Sequence, residues 1–179
     1  MRVITGTARG RRLITPNGLE TRPTSDKVKE GLFSAIQFDI EGRRVLDLFA
    51  GSGQMGIEAL SRGAENAVFV DSSKAAIYTI EENIRNCSFK NLATVYNADF
   101  KSFLAANKNT FDIVFLDPPY KAGVLEDAIK GVIPFLSDYA IIIAEHPVDL
   151  ILEDEIDGFT ATKKYKYSKT AATVYRRKD

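Results

Sequence analysis

Arg44-Val45-Leu46-Asp47-Leu48-Phe49-Ala50-Gly51-Ser52-Gly53-Gln54-Met55-Gly56 is the stretch that decides the fold. Residues 44–49 are a short apolar run of the kind that forms a strand buried on both faces. Glycines at G-x-G-x-x-G spacing follow, and a helix is expected around Gly56 to Arg62. Such a loop lets backbone approach a ligand closely and leaves helix N-terminal amides beside it. The spacing alone suits a dinucleotide as readily as any other nucleotide-like ligand, or a structural turn.

Outward from this loop the pattern repeats. Ala67 to Asp71, Ala93 to Tyr96, Phe111 to Leu116 and Tyr139 to Ala144 read as further strands. Amphipathic stretches lie between them: Ala75 to Ile84, a short one through Phe103, and Leu125 to Ile133. Near-continuous apolar strands alternating with helices predict an α/β fold, a mostly parallel sheet with helices on both faces. The end breaks the alternation, because Phe159 to Tyr167 and Ala171 to Arg177 read as a C-terminal antiparallel hairpin, giving seven strands. Residues 1–42 form a small basic extension, with a strand pair or arm to Glu20 and a helix after Thr24-Ser25-Asp26. Residues 43–179 form the core of what is expected to be one compact domain.

Acids stand at the strand ends. Asp47 is four residues before the first glycine, where a pyrophosphate would be repelled and a cationic ligand favoured. Asp71 ends the second strand about twenty residues beyond the loop, a position suited to ribose hydroxyls. Asp99 could accept from an adenine amino group with Phe100 packing on the ring, or could cap the short helix that follows.

Asp117-Pro118-Pro119-Tyr120 follows the fourth strand directly. Two prolines remove two backbone donors and stiffen the chain, leaving outward-facing carbonyls. A carboxylate and such a carbonyl form an acceptor pair for an NH2 group. Accepting both hydrogens drives a conjugated nitrogen towards sp³ and exposes its lone pair. Tyr120 offers a face for a planar base, a contact worth roughly 1–3 kcal/mol. Positioning and acceptor electrostatics then suffice for transfer, with no covalent intermediate. The alternative is a plain strand-to-loop turn.

Composition narrows the class. The 179 residues, 45% hydrophobic, are enough for one domain with a sizeable core. No apolar run is of membrane-spanning length and the start lacks a signal-peptide pattern, so a cytoplasmic protein with no membrane association is expected. One Cys and one His exclude a disulfide framework and predict no metal site. Cys87 is expected to be a packed thiol and His146 a turn residue. The net charge of zero hides segregation: residues 1–30 hold seven Lys/Arg against three acids, and residues 163–179 hold seven against one. Basic ends on an acidic body suit a polyanion-facing edge, although terminal segments are often simply solvated.

Asp47 to Gly53, Glu58-Ala59-Leu60-Ser61-Arg62-Gly63-Ala64 and Asp117 to Tyr120 together resemble the bacterial 16S rRNA guanine-N2 methyltransferases of the RsmD family. Gly6-Thr7-Ala8-Arg9-Gly10-Arg11 and Thr21-Arg22-Pro23-Thr24-Ser25-Asp26-Lys27-Val28-Lys29-Glu30 resemble that family's opening segments, so the likeness spans nearly the whole chain. It implies a Rossmann-like class I methyltransferase fold, S-adenosylmethionine as cofactor, and ribosomal RNA or an assembling small ribosomal subunit as partner, with a monomeric enzyme. The implied cofactor set is Asp47, Phe49, Ala50, Gly51, Ser52, Gly53, Asp71, Ser72, Asp99 and Phe100. Arg22 and Thr24 would close over the cofactor's methionine end. Asp117, Pro118, Pro119 and Tyr120 would take the guanine, and Arg9, Arg11, Arg12, Lys27 and Lys29 would face RNA phosphate. Lys27 and Lys29 stand where the family often has Arg, Asp71 where Glu is common, and Tyr167-Ser168-Lys169-Thr170 where a Tyr-Gly turn is usual. The same acceptor chemistry would also serve adenine N6 or a protein amide. The glycine loop alone leaves a dinucleotide-dependent oxidoreductase open, and an RNA-binding protein without catalysis remains a further alternative.

Overall fold

A computed structural model describes residues 1–16, 26–120 and 123–178. The core strands are β1 (Arg44–Leu48), β2 (Asn66–Asp71), β3 (Ala93–Asn97), β4 (Phe111–Leu116) and β5 (Leu136–Pro147). The helices are α1 (Asp26–Ala35), α2 (Gln54–Ser61), α3 (Lys74–Asn86), α4 (Phe100–Ala106) and α5 (Val124–Val132). Strands β6 (Glu155–Ile156), β7 (Phe159–Tyr167) and β8 (Thr170–Arg177) complete one sheet in the order β3-β2-β1-β4-β5-β8-β7-β6. Strands β1 to β5 pair in parallel, and β8 inserts antiparallel between β5 and β7.

Among the described residues the sheet therefore has eight strands where the residue pattern gives seven. The addition is β6, two residues pairing Glu155 with Thr160 and Ile156 with Phe159. Two residues are too few to show an alternation. β5 also starts at Leu136, earlier than its apolar run, because Leu136 pairs with Phe111 of β4 ahead of a register shift that spans the exposed Tyr139.

Alternation along the strands divides the core. Val45, Phe69, Ile113, Phe115, Ile141 and Ile143 face one way, against Leu32 and Phe33 of α1, Ile57 of α2 and Ile80 and Ile84 of α3. Leu46, Leu48, Val68, Val70, Val114, Leu116 and Ile142 face the other way, against Phe103 and Leu104 of α4 and Leu125, Ile129 and Val132 of α5. Both faces are covered, which explains why these strands read as continuous apolar runs.

The first sixteen residues belong to this core. They turn back on themselves through an Arg2–Arg12 bridge, with the Val3 amide on the Arg11 carbonyl at 3.0 Å and the Gly10 amide on the Val3 carbonyl at 2.9 Å. Val3, Ala8 and Leu13 are buried with α1. Buried polar groups pin the arm: Glu58 accepts the amides of Ile4 (2.8 Å) and Thr5 (3.0 Å), and Ser61 Oγ accepts that of Ala8. Asn83 Oδ1 accepts the Ile14 amide, while its Nδ2 donates to the carbonyls of Ile14 and Ser52, each at 2.9 Å. One fully buried side chain thus ties the arm to the glycine loop.

Among the described residues, no helix is long and apolar enough to cross a membrane, and no group of three His, Cys, Asp or Glu side chains is placed to hold a metal.

Candidate active site

The parallel strands all end at the same edge, where ligands of open α/β sheets bind. Here β1 passes into the glycine loop. Phe49 takes a positive φ of 76°, and its amide and that of Ala50 both reach the Val70 carbonyl of β2. Gly53, at φ 75°, is the left-handed residue from which α2 starts, a conformation that costs glycine little. At Gly56 a Cβ would lie 2.3 Å from the Phe69 ring, so the third glycine lets helix and strand approach.

The strand-end acids shape this loop. Asp71 Oδ2 accepts the Gly51 amide at 2.9 Å, and Oδ1 accepts that of Ser73 at 2.8 Å. Asp47 is buried, and its Oδ2 accepts the Gly56 amide at 2.9 Å. Burial pushes its carboxyl up to about 7; the Gly56 amide opposes this and the Asp71 charge adds to it. Asp99 caps α4, with Oδ1 accepting the amides of Lys101 and Ser102 at 3.0 Å each and Oδ2 the Ser102 hydroxyl. The Ser102 hydroxyl, then the backbone amides, hold its carboxyl below the usual range. Phe100, beside it, meets Phe49 with ring centroids 5.3 Å apart.

These elements enclose a cleft of about 1060 Å³. Phe49, Ala50, Gly51, Ser52, Asp71, Ser72, Asp99 and Phe100 line one part of it, and Asp117, Pro118, Pro119 and Tyr120 line another. Tyr120 keeps 59% of its surface exposed, so its ring is not drawn into the core; its hydroxyl lies 3.4 Å from Thr170 Oγ1. Asp117 is accessible from the cleft but crowded by protein atoms. That crowding first, then the carboxylates of Glu145 and Asp47, raises its carboxyl well above the ordinary range.

Other expected residues lie elsewhere. Asp47 and Gly53 are not among the cleft-lining residues, and the buried Asp47 reaches the cleft through its charge, which helps raise the Asp117 carboxyl. Lys27 lines the cleft, but Lys29 does not face solvent and is no phosphate contact. Its side chain is fully buried, with Nζ donating to the Arg2 carbonyl at 2.6 Å and lying 3.7 Å from Glu58. Two residues along a helix amount to roughly 200° of rotation, which places Lys29 on the inner face of α1. Arg9, Arg11 and Arg12 are exposed on the arm, outside the cleft lining. Arg22 and Thr24 lie outside the described residues.

Several lining groups carry no pattern in the sequence. Glu145, two residues before the end of β5, and Lys166, Tyr167 and Thr170, around the β7–β8 turn, reach the cleft through the antiparallel return of the sheet. Gln54 also lines it, and its buried Oε1 has no hydrogen-bond partner among the described residues. Cys87 is buried, and burial pushes its thiol up, opposed by the Arg11 charge. His146 is buried between β5 and β8, with Nε2 3.0 Å from Thr173 Oγ1 and Nδ1 2.9 Å from the Pro147 carbonyl. It borders a separate recess of about 190 Å³ on the other side of Pro118 to Tyr120.

Residues 1–176 match the family model described as Conserved hypothetical protein 95. The Bacillus subtilis protein YlbH is 40% identical, over 99% of this chain and all of that protein. The protein named Ribosomal RNA small subunit methyltransferase D of Escherichia coli is 38% identical over 83% of this chain and 76% of its own length. The solved structure of yhhF from Escherichia coli is 35% identical, with a TM-score of 0.90 over 99% of this chain and 98% of that one. A family model along nearly the whole length, relatives at this identity and a shared Rossmann-like methyltransferase fold agree: the chain belongs to the Conserved hypothetical protein 95 family, which is the RsmD family that its motifs resemble.

Proposed function

We propose that this protein transfers a methyl group from S-adenosylmethionine to the exocyclic N2 amine of a guanine in small-subunit ribosomal RNA. The observation that carries this reading is the shared cleft. Asp117 to Tyr120 open into the same space as the glycine loop, Asp71 and Asp99. A relative 41% identical over 73% of this chain, from Haemophilus influenzae, also bears the name of a small-subunit rRNA methyltransferase.

The donor set fits the cofactor. Carboxylates of Asp71, Asp99, Asp117 and Glu145 line the cleft and Asp47 lies behind it, surroundings that favour a cation and disfavour a pyrophosphate. The buried Gln54 Oε1 lacks a partner that an ammonium would supply. Asp71 and Ser72 would hold the ribose, Phe100 and Phe49 the adenine ring, and Asp99, whose carboxylate already caps α4, would border the adenine edge. The cofactor supplies an electrophilic methyl group on a sulfonium. The chain's part is to present the amine: Asp117 and the Pro118 carbonyl accept its two hydrogens, Tyr120 stacks on the base, and a carboxylate stands ready for the proton the amine releases on methylation. Residues 1–42 would form the RNA-facing side, with Arg9, Arg11, Arg12 and Lys27 meeting phosphate.

Small subunits from cells lacking the gene, incubated with the protein and labelled S-adenosylmethionine, should gain label in one guanine, identified as N2-methylguanosine by mass spectrometry of nucleosides. Asp117→Ala should abolish this while leaving S-adenosylhomocysteine binding within a few-fold. A near-wild-type rate in that variant would end the assignment of Asp117, and N6-methyladenosine as the product would replace the substrate.

A further inference from the structure

Two neighbouring strands bear on which edge of the base is read, an inference that rests on the amine-methylating function proposed above. β4 and β5 are parallel and in register, with Leu116 beside Ala144. Asp117, the first residue past β4, and Glu145, still paired with Ala172 of β8, are therefore neighbours. Both line the main cleft with Pro118, Pro119 and Tyr120. Glu145 is only 9% exposed and also borders the small recess beyond Tyr120. Its charge is close enough to Asp117 to help raise that carboxyl, second only to crowding by protein atoms.

Bases with an exocyclic amine differ in the ring atom beside it. In guanine N1 carries a hydrogen, so N1–H and the N2 amine form an unbroken donor edge. In adenine N1, and in cytosine N3, a bare lone pair stands next to the amine. A carboxylate only accepts hydrogen bonds, so a second carboxylate next to the amine acceptor distinguishes these edges. We propose that Glu145 selects guanine, accepting N1–H while Asp117 and the Pro118 carbonyl accept the N2 amine. An adenine with its amine at Asp117 would turn a lone pair towards Glu145. Sites that hydrogen-bond a substrate group reject analogues lacking it by factors of about 10⁴–10⁵ where the site is dry, and by less where water enters.

2-Aminopurine separates the two features, because it keeps the N2 amine and has a bare N1. Once the modified guanine is mapped, small subunits are reconstituted on rRNA carrying guanine or 2-aminopurine there, and single-turnover transfer is measured. The wild type should prefer guanine by at least about a hundredfold. Glu145→Gln, whose amide both donates and accepts, should lose about tenfold or more on guanine and narrow the preference to within about tenfold. S-adenosylhomocysteine affinity should stay within a few-fold of wild type and the thermal midpoint close to it, which separates base selection from a supporting role in the fold. Equal wild-type rates on the two bases, or an unaltered preference in Glu145→Gln, overturns the role of Glu145. If that variant does not fold, the wild-type comparison alone decides. Absence of transfer to either base by the wild type removes the function and this inference together, whereas a methylated guanine with no discrimination removes Glu145 only.

Discussion

Asp71 accepts the amide of Gly51 at 2.9 Å, so the acid that ends β2 also fixes the loop that leaves β1. The proposed ribose contact and the loop's shape therefore depend on one carboxylate. Asp71→Ala should weaken S-adenosylhomocysteine binding by about 10- to 100-fold, the range for losing a hydrogen bond to a charged group. Asp71→Glu should retain most of the affinity. Calorimetric titration checks both, and an Asp71→Ala affinity within twofold of wild type counts against the contact.

Asp47 predicts a pH dependence. Its carboxyl is pushed up by burial to about 7 from an ordinary value of 3.8. The unfolded chain therefore releases this proton first, and the acid's contribution to stability falls as pH rises from about 4 to about 7, then levels. A cationic ligand favours the ionised form, so S-adenosylmethionine affinity should rise between pH 5 and 7, by at most about tenfold per unit, and then flatten. Asp47→Asn should make that slope shallower. Titrations at several pH values that show equal slopes in both proteins would refute the linkage.

Lys27 and Lys29 should behave as opposites. Lys29→Met replaces a buried ammonium by an apolar chain of similar length and leaves Glu58 bonded to Arg62 at 2.8 Å and to two amides. Its cost should be no more than about 1–2 kcal/mol. Glu58→Ala strands the Lys29 ammonium in the core and should cost about 3–5 kcal/mol by denaturant unfolding. Lys27→Ala should leave stability alone, weaken RNA binding and lower its salt slope by about 1. An RNA affinity that falls with Lys29→Met and not with Lys27→Ala would reverse the assignment.

Tyr120 should matter for its ring more than for its hydroxyl, which is 3.4 Å from Thr170 Oγ1. Tyr120→Phe should transfer methyl groups within a few-fold of wild type. Tyr120→Ala should lose about 1–3 kcal/mol of base stacking, seen as a raised KM for the ribosomal particle. Equal losses in the two variants would point to the hydroxyl.

The parallel half of the fold was legible in the sequence because burial on both faces writes long apolar runs, as in Phe111 to Leu116. β6 was not, since two residues carry no period. The glycine loop and Asp117 to Tyr120 were legible as cleft-lining segments because each follows directly on an apolar parallel strand, whose end opens on the ligand-binding edge. Glu145 and Thr170 were not, because their place at the cleft depends on which strands become neighbours, a non-local outcome of the β5–β8 pairing. Lys29 was misread for a related reason: charge in a basic segment suggests a solvated face, and only the docking of the arm on Glu58 shows that it points inward.

The pinned arm has a consequence for substrate capture. A floppy basic tail would have to surrender conformational freedom each time it wrapped a polyanion, which lowers affinity for a given contact area. Here Arg9, Arg11 and Arg12 ride on a rigid bracket whose amides are already claimed by Glu58 and Ser61 and whose far end is held by Asn83. Their backbone positions are set in advance, so in the proposed RNA-facing role this surface would suit a preformed contour better than an unstructured strand.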